Sequence, residues 1–355
     1  MRSWVEGISG GAPVSRILVI RRKALGDALV TLPAVLQLSS LFPGATIDLL
    51  LDRWLAPLFR DLARDLHIVA WPPETRRPGA WTSTLRAGRY DLVLDFLGTP
   101  RTALWTALTG APLRVGYDLR WRQWAYNLKV PRNSWSGFKV AAFAGEAFLD
   151  PLRALGWTVP PWQPAQTALP DPAQLDQTYL GWVADWLDRP APHIALVLSA
   201  SWPAKAWPLA SSCELFRRLE RDGASPIFIP GPADDTLVRR VRRELGPAAL
   251  APPTNLLALA DLLRRVDCFV GTDNGARHLA ICLGVPTVTL FGPTDPRGWN
   301  PEDPRHVVVR TGEDCSPCDL TECPLPGHPC LDSLPAARVA TAVQRLWRNL
   351  QSSRR

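Results

Sequence analysis

Lysine is almost missing from this chain. Lys23, Lys129, Lys139 and Lys205 are its only lysines, so a net charge of +7 rests almost wholly on arginine. No apolar run approaches the ~18 residues that span a bilayer, and Met1 to Ser15 hold glycine and serine in place of a signal peptide's apolar stretch. Zinc-finger spacing, a helix-turn-helix signal and a basic stripe are also lacking, which sets nucleic acid aside as a partner despite the positive charge. The seven cysteines are too unevenly placed for a secreted disulfide scaffold. What is left is a cytoplasmic globular protein with a flexible N-terminal tail over 1–15. Its 355 residues, 46% hydrophobic and 21% charged, are enough for two domains that each bury a core. An arginine-rich surface suits an anionic lipid head group or phosphorylated glycolipid, because guanidinium pairs bidentately with phosphate. A solvated face explains Arg76, Arg77, Arg86, Arg89, Arg114, Arg120 and Arg122 equally well.

Apolar runs alternate with amphipathic stretches in the βαβ manner of parallel sheets. Strands are expected at Ile17 to Ile20, Thr46 to Leu51, Ile68 to Ala70, Leu92 to Asp95 and Arg114 to Tyr117, with helices at Ala28 to Leu41 and Thr102 to Leu108 and a closing helix at Phe138 to Leu155. Proline then punctuates Val159 to Pro172, an extended linker. The second half repeats the pattern, with strands at Ile194 to Leu198, Pro226 to Ile229, Cys268 to Val270, Thr287 to Leu290 and Val307 to Val309. Its helices fall near Ala210 to Arg221, Leu237 to Leu245, Asn255 to Arg264 and Ala336 to Leu350. The fold class is α/β with two Rossmann-like units. The 16 tryptophans are mostly packing residues, with one or two left over to stack on sugar faces.

Two strand–turn–helix signatures carry chemistry. Val270 to Leu279 joins a strand end to a helix start through Gly271, Thr272, Asp273, Asn274 and Gly275, so the first amides of that helix point at whatever lies over the strand. This is either a phosphate site or an ordinary cap made by Thr272, Asp273 or Asn274. Arg16 to Ala34 is the second, with Gly26 and Asp27 in the turn. Asp27 is either an N-cap or, at the carboxyl end of a first parallel strand, a general base.

Four blocks at this spacing resemble glycosyltransferase family 9, the ADP-heptose:lipopolysaccharide heptosyltransferases. They are Ala24-Leu-Gly-Asp27 through Pro33, Ser201-Trp-Pro-Ala-Lys205-Ala-Trp207-Pro208, Gly271 to Leu279 with Gly284 to Pro296, and Cys315-Ser-Pro-Cys318. The resemblance implies the GT-B architecture, two Rossmann-like domains facing a central cleft: an acceptor domain over 16–160, a linker over 161–172, a nucleotide-sugar domain over 173–335, and a helix and tail over 336–355 whose helix packs back on the first domain. It implies an inverting glycosyltransferase that needs no cofactor and no metal, moving heptose from ADP-heptose to a Kdo or heptose of the lipopolysaccharide inner core. Such an enzyme is cytoplasmic, with peripheral contact at the inner membrane.

By the same resemblance Asp27 is the base, Lys205 meets the donor phosphate, and Asp273 binds hydroxyls of the donor sugar. Amides from Asn274 to His278 take the diphosphate, with Thr272, Gly275 and His278 in the same donor site. Ser199 and Ser201 add hydroxyl donors, and Gly231 lies in the family's nucleotide-adjacent turn, where Asp234 or Asp235 is a weak ribose contact. Arg21 is open between binding an anionic acceptor and a strand-edge role, and Arg277 between a phosphate contact and a surface or salt-bridge role. Cys315, Cys318, Cys323 and Cys330, with His328 nearby, are open between reduced thiols in a packed loop, a structural zinc and a disulfide. A family member using another sugar or acceptor, and a non-catalytic nucleotide-sugar-binding protein, are the alternative functions. The oligomeric state is open.

Overall fold

The computed structural model describes residues 13–72, 80–131, 143–169, 171–198, 200–232 and 234–353. Residues 1–12 of the tail, residues 138–142 of the expected closing helix and the candidate donor residue Ser199 lie outside them. The chain divides into two compact units, Met1–Ala168 and Leu169–Arg355.

In the first unit β1 (Arg16–Ile20), β2 (Thr46–Asp52), β3 (Leu66–Trp71), β4 (Leu92–Asp95), β5 (Leu113–Tyr117) and β6 (Leu128–Val130) form one sheet in the order β3-β2-β1-β4-β5-β6. Every pairing is parallel. A parallel sheet is covered on both faces, so its strands read as unbroken aliphatic runs. Ile17, Leu18, Val19 and Ile20 are accordingly all buried. Connecting helices are α1 (Leu25–Leu41), α2 (Ala80–Ala87), α3 (Pro100–Leu108) and α4 (Ala144–Ala154). α1 tolerates Pro33 in its interior at the cost of one i→i−4 hydrogen bond, and Leu29, Leu32 and Leu38 stay fully buried on it. Trp71, Trp81 and Trp105 pack ring on ring with centroids 4.5–5.4 Å apart, which makes them core residues.

The proline-rich stretch expected as a linker is partly laid down on this unit. Trp162 is buried, its indole N–H donating to Val30 O at 2.9 Å, and Ala168 N–H donates to Leu58 O at 3.1 Å. An apolar indole finds more to bury against the unit than in solvent, and the division falls just after it, between Ala168 and Leu169.

The second unit opens with α5 (Gln177–Leu187) and carries β7 (His193–Val197), β8 (Ser225–Phe228), β9 (Cys268–Thr272), β10 (Thr287–Leu290) and β11 (His306–Val309), ordered β11-β10-β9-β7-β8 and again all parallel. Its other helices are α6 (Leu209–Arg221), α7 (Asp235–Leu245), α8 (Leu256–Arg265), α9 (Gly275–Cys282), α10 (Pro296–Trp299), α11 (Pro329–Asp332) and α12 (Ala336–Ser353). The resemblance sets the last helix on the first domain. In the structure α12 belongs to the second unit and packs on α6 and over β9, β10 and β11, with Gln344 donating to Asp222 at 2.7 Å. Ala336, Val339, Ala340, Val343 and Leu346 form its buried stripe, the 3.6-residue spacing of a core-facing helix.

Both sheets are doubly wound. Strand order reverses between β1 and β4 in the first and between β7 and β9 in the second, and open α/β sheets bind ligands beyond the strand ends at such switch points. At the second, a Cβ on Gly271 would stand 2.5 Å from Val197 O, so only glycine lets β9 and β7 approach there. Among the described residues no helix is long and apolar enough to cross a membrane.

Candidate active site

The second unit gathers most of the expected donor residues at the β7/β9 switch point. After β7 the chain makes a short 3-10 turn, Pro203–Lys205, held by Ala204 N–H donating to Thr321 O at 3.0 Å. That turn delivers Lys205, whose Nζ lies 2.8 Å from Asp273 Oδ2 and 4.4 Å from the centre of the Trp202 ring. Asp273 follows β9 directly and is buried. Its Oδ2 also accepts from Thr294 Oγ1 at 2.9 Å, while Arg277 Nη1 and His278 Nε2 stand 3.5 and 3.7 Å from its Oδ1. Burial alone would raise the pKa of this carboxyl. The His278 hydrogen bond and the Lys205 and Arg277 charges outweigh that and hold it well below the usual carboxylate range.

Asn274 caps α9, its Oδ1 accepting from Arg277 N–H at 3.0 Å and its Nδ2 donating to Val197 O at 3.2 Å. The Arg277 amide is therefore taken by the cap, and the helix start at Gly275 supplies the outer first-turn amides. His278 is buried with its ring edge-on to Trp299 at 5.8 Å. Thr272 is fully buried at the end of β9. Ser201 is exposed just ahead of the lysine turn, and Gly231 donates its N–H to Asp234 Oδ2 at 2.6 Å. That bond spends one oxygen of Asp234 on closing its own turn.

Arg277 is not a surface residue. It has no exposed surface and is clamped by Thr289 Oγ1 at 2.9 Å, Trp299 O at 3.1 Å and Asn300 Oδ1 at 2.5 Å, above the Phe291 ring. Burial pushes its pKa down to about 10, with Asp273 opposing the fall. Its salt-bridge role is to fix the floor on which Asp273 rests.

Asp319 was not singled out in the sequence. Its N–H and that of Cys318 donate to Pro293 O at 2.8 and 2.9 Å, next to the Thr294 that bonds Asp273. Burial pushes the Asp319 carboxyl above the usual range, against the pull of Lys205 and with the push of Asp295 and Asp273. The cysteine loop thus backs the lysine turn through Thr321 and adds a third carboxyl to its surroundings. All seven cysteines are free thiols, Cys315 exposed and Cys330 buried. Among the described residues no group of three His, Cys, Asp or Glu is placed to hold a metal ion.

In the first unit Asp27 lies in the first turn of α1, beyond the carboxyl end of β1. One oxygen accepts from Ala24 N–H at 3.3 Å and the other is ion-paired with Arg21. The Asp27 side chain is one-third exposed and Arg21 is almost wholly buried. The Arg21 guanidinium also donates to Phe96 O at 2.7 Å and lies over the Phe148 ring at 5.0 Å, so it faces Asp27 from inside. Thr31 anchors the next turn by donating to Asp27 O at 2.7 Å. At the neighbouring strand end Asp95 is buried and accepts from the amides of Leu97 and Gly98 and from Tyr126 Oη at 2.7 Å. A partly exposed carboxylate, oriented by a buried arginine at a switch point, is equipped to take a proton from a bound hydroxyl.

These two constellations can be set against known proteins. The family model for glycosyltransferase family 9 (heptosyltransferase) matches residues 79–328. Lipopolysaccharide heptosyltransferase 1 of Pseudomonas aeruginosa is 28% identical over 324 residues, 87% of each chain. Among solved structures, a glycosyl transferase family 9 protein from Veillonella parvula superposes with a TM-score of 0.77 at 19% identity, over 94% of this chain and 98% of that one. The E. coli ADP-heptose lps heptosyltransferase II superposes with a TM-score of 0.73 at 22% identity, over 95% and 99%. The architecture is thus GT-B, with two Rossmann-like sheets. From the match over 79–328 and the heptosyltransferase relative, the chain belongs to glycosyltransferase family 9, the heptosyltransferases, and is a glycosyltransferase.

Proposed function

We propose that this enzyme transfers heptose, with inversion, from ADP-heptose to a Kdo or heptose of the lipopolysaccharide inner core. The observation that carries the reading is the pairing of the half-buried Lys205 with the buried Asp273 beside the start of α9, an arrangement of one cation and first-turn amides that suits a diphosphate. The donor is that in the name of the E. coli relative, ADP-heptose lps heptosyltransferase II, and the acceptor class that in the name of the P. aeruginosa relative.

In this reading Asp27 removes the proton of the acceptor hydroxyl. The resulting oxygen attacks the anomeric carbon, the bond from that carbon to the ADP oxygen breaks, and ADP leaves carrying the electron pair. Lys205 and the amides of Gly275 and Ala276 neutralise the diphosphate as it departs. Asp273 already has its four acceptor positions facing Lys205, Thr294, Arg277 and His278, which uses its capacity. Donor phosphate draws Lys205 away, and the freed Oδ2 accepts a sugar hydroxyl. Ser199, Ser201, Thr272, Asn274, Gly231 and His278 complete the donor side. Arg21 positions Asp27. No metal or cofactor is required, and the enzyme works at the cytoplasmic face of the inner membrane.

Incubating the enzyme with ADP-heptose and either a Kdo-terminated or a heptose-terminated core, then weighing the products by mass spectrometry, tests this. One added heptose on one of the two acceptors is expected. Transfer to neither, or only from a different nucleotide sugar, contradicts it.

A further inference from the structure

One stretch of the first unit carries exposed groups that its core does not use. From Phe96 to Pro131 the sequence has a single acid, Asp118, against Arg101, Arg114, Arg120, Arg122 and Lys129. Within that stretch Trp121 is 83% exposed, Trp124 62% and Leu104 on α3 47%. Buried groups beneath hold the loop firmly. Tyr126 Oη donates to the buried Asp95 at 2.7 Å, Arg122 Nη1 donates to Gly98 O at 3.0 Å, and Ala125 packs with Ala103 of α3. The two indoles are thus displayed by an anchored backbone. Trp121 even sits at φ 68, in the left-handed region that bulky residues seldom adopt. Arg120 is exposed and stacks on it, Cζ 5.5 Å from the ring centre. Asp118, the lone acid, accepts from Gln123 at 2.5 Å. Arg101 and Leu104, three residues apart, share the exposed side of α3.

We propose that this stretch docks on an anionic lipid bilayer, Trp121, Trp124 and Leu104 entering the head-group layer while Arg101, Arg120 and Lys129 pair with lipid phosphates. Indoles partition to exactly this kind of polar–apolar boundary, and exposed cations add attraction to anionic leaflets. The five-to-one excess of cations over acids selects an anionic surface over a neutral one. The loop after β5 and the turn bearing Asp27 after β1 leave the same carboxyl edge of the parallel sheet, so docking turns the Asp27 edge toward lipid-anchored sugars. The inference rests on the glycolipid acceptor proposed above.

Cosedimentation with phosphatidylglycerol–phosphatidylcholine vesicles, and with phosphatidylcholine alone, tests it on the full chain. The wild type should bind the anionic vesicles more tightly and release as salt rises. Arg101→Ala with Arg120→Ala should weaken binding by about tenfold or more, and Trp121→Ser with Trp124→Ser should weaken it on both vesicle types. Each double variant should keep wild-type turnover on a soluble, delipidated acceptor. Tryptophan variants that bind vesicles as the wild type does overturn the proposal. So do a wild type indifferent to anionic lipid, a preference for RNA over vesicles, or lost turnover on the soluble acceptor, which would make the face a sugar site. Vesicle binding through Trp121 and Trp124 with no heptose transfer would sink the catalytic reading and leave the docking face standing.

Discussion

Lys205 and Asp273 are 68 residues apart in the chain and 2.8 Å apart in space, one brought by the turn after β7 and the other by the end of β9. Adjacent parallel strands at a reversal of strand order are what bring them together. In the mechanism proposed above, a donor diphosphate would compete with this carboxylate for the same ammonium.

If that exchange occurs, Lys205→Ala should weaken ADP-sugar binding by ~1.5–3 kcal/mol, the worth of a charge-assisted hydrogen bond. Adenosine should bind almost unchanged. Calorimetry giving equal losses for both ligands would remove the phosphate role.

Asp273 is the counter-charge of a fully buried arginine as well as of the lysine. Asp273→Asn leaves Arg277 without its anion, and such breakage costs about 3–5 kcal/mol. Thermal unfolding should therefore show a large loss of stability, with Lys205→Ala losing much less. A variant as stable as the wild type would mean that the clamp of Thr289, Trp299 and Asn300 suffices for Arg277.

His306 is buried with Nδ1 3.2 Å from Thr287 Oγ1, and burial pushes its pKa down to about 4. The unfolded chain takes up this proton near pH 6.5, well before the folded one does. Stability is therefore complete above about pH 6.5 and declines as pH falls toward 4, by up to about 3 kcal/mol. Urea titrations across that range should show the decline flattened in His306→Asn. Asp273, whose pKa is depressed, adds a further loss on the acid side of the ordinary carboxylate range. Parallel pH profiles for the wild type and His306→Asn would contradict the assignment.

Arg21 orients Asp27 without reaching solvent. Arg21→Lys keeps the charge but loses the fork that reaches both Asp27 and Phe96 O. Turnover should fall by about tenfold while the KM for ADP-heptose stays near wild type. A change confined to the acceptor KM would return Arg21 to acceptor binding.

The parallel strands and the two strand–turn–helix signatures were legible because strands buried on both faces must be aliphatic, and because glycine and short polar residues mark their turns. β6 was not. It has three residues, with Lys129 exposed at its centre, and so carries no hydrophobic signal. Arg277 reads in sequence as a polar residue beside a phosphate-type turn, and only distant partners, Thr289, Trp299 and Asn300, draw it inside. Asp319 lies in an irregular loop whose course is set by Pro293, a contact without periodicity. The tryptophans show the same limit: Trp105 is core and Trp121 is surface, and composition alone treats them alike.

Proton removal by Asp27 is the centre of this account, and rapid-quench measurement of heptose transfer by Asp27→Asn, paired with calorimetry of ADP-heptose binding, tests it most directly. Turnover should fall by roughly 10²–10⁴ with donor affinity unchanged. Transfer within a few-fold of wild type, accompanied by a stability loss of ~1 kcal/mol, would make Asp27 a helix cap and place the base elsewhere.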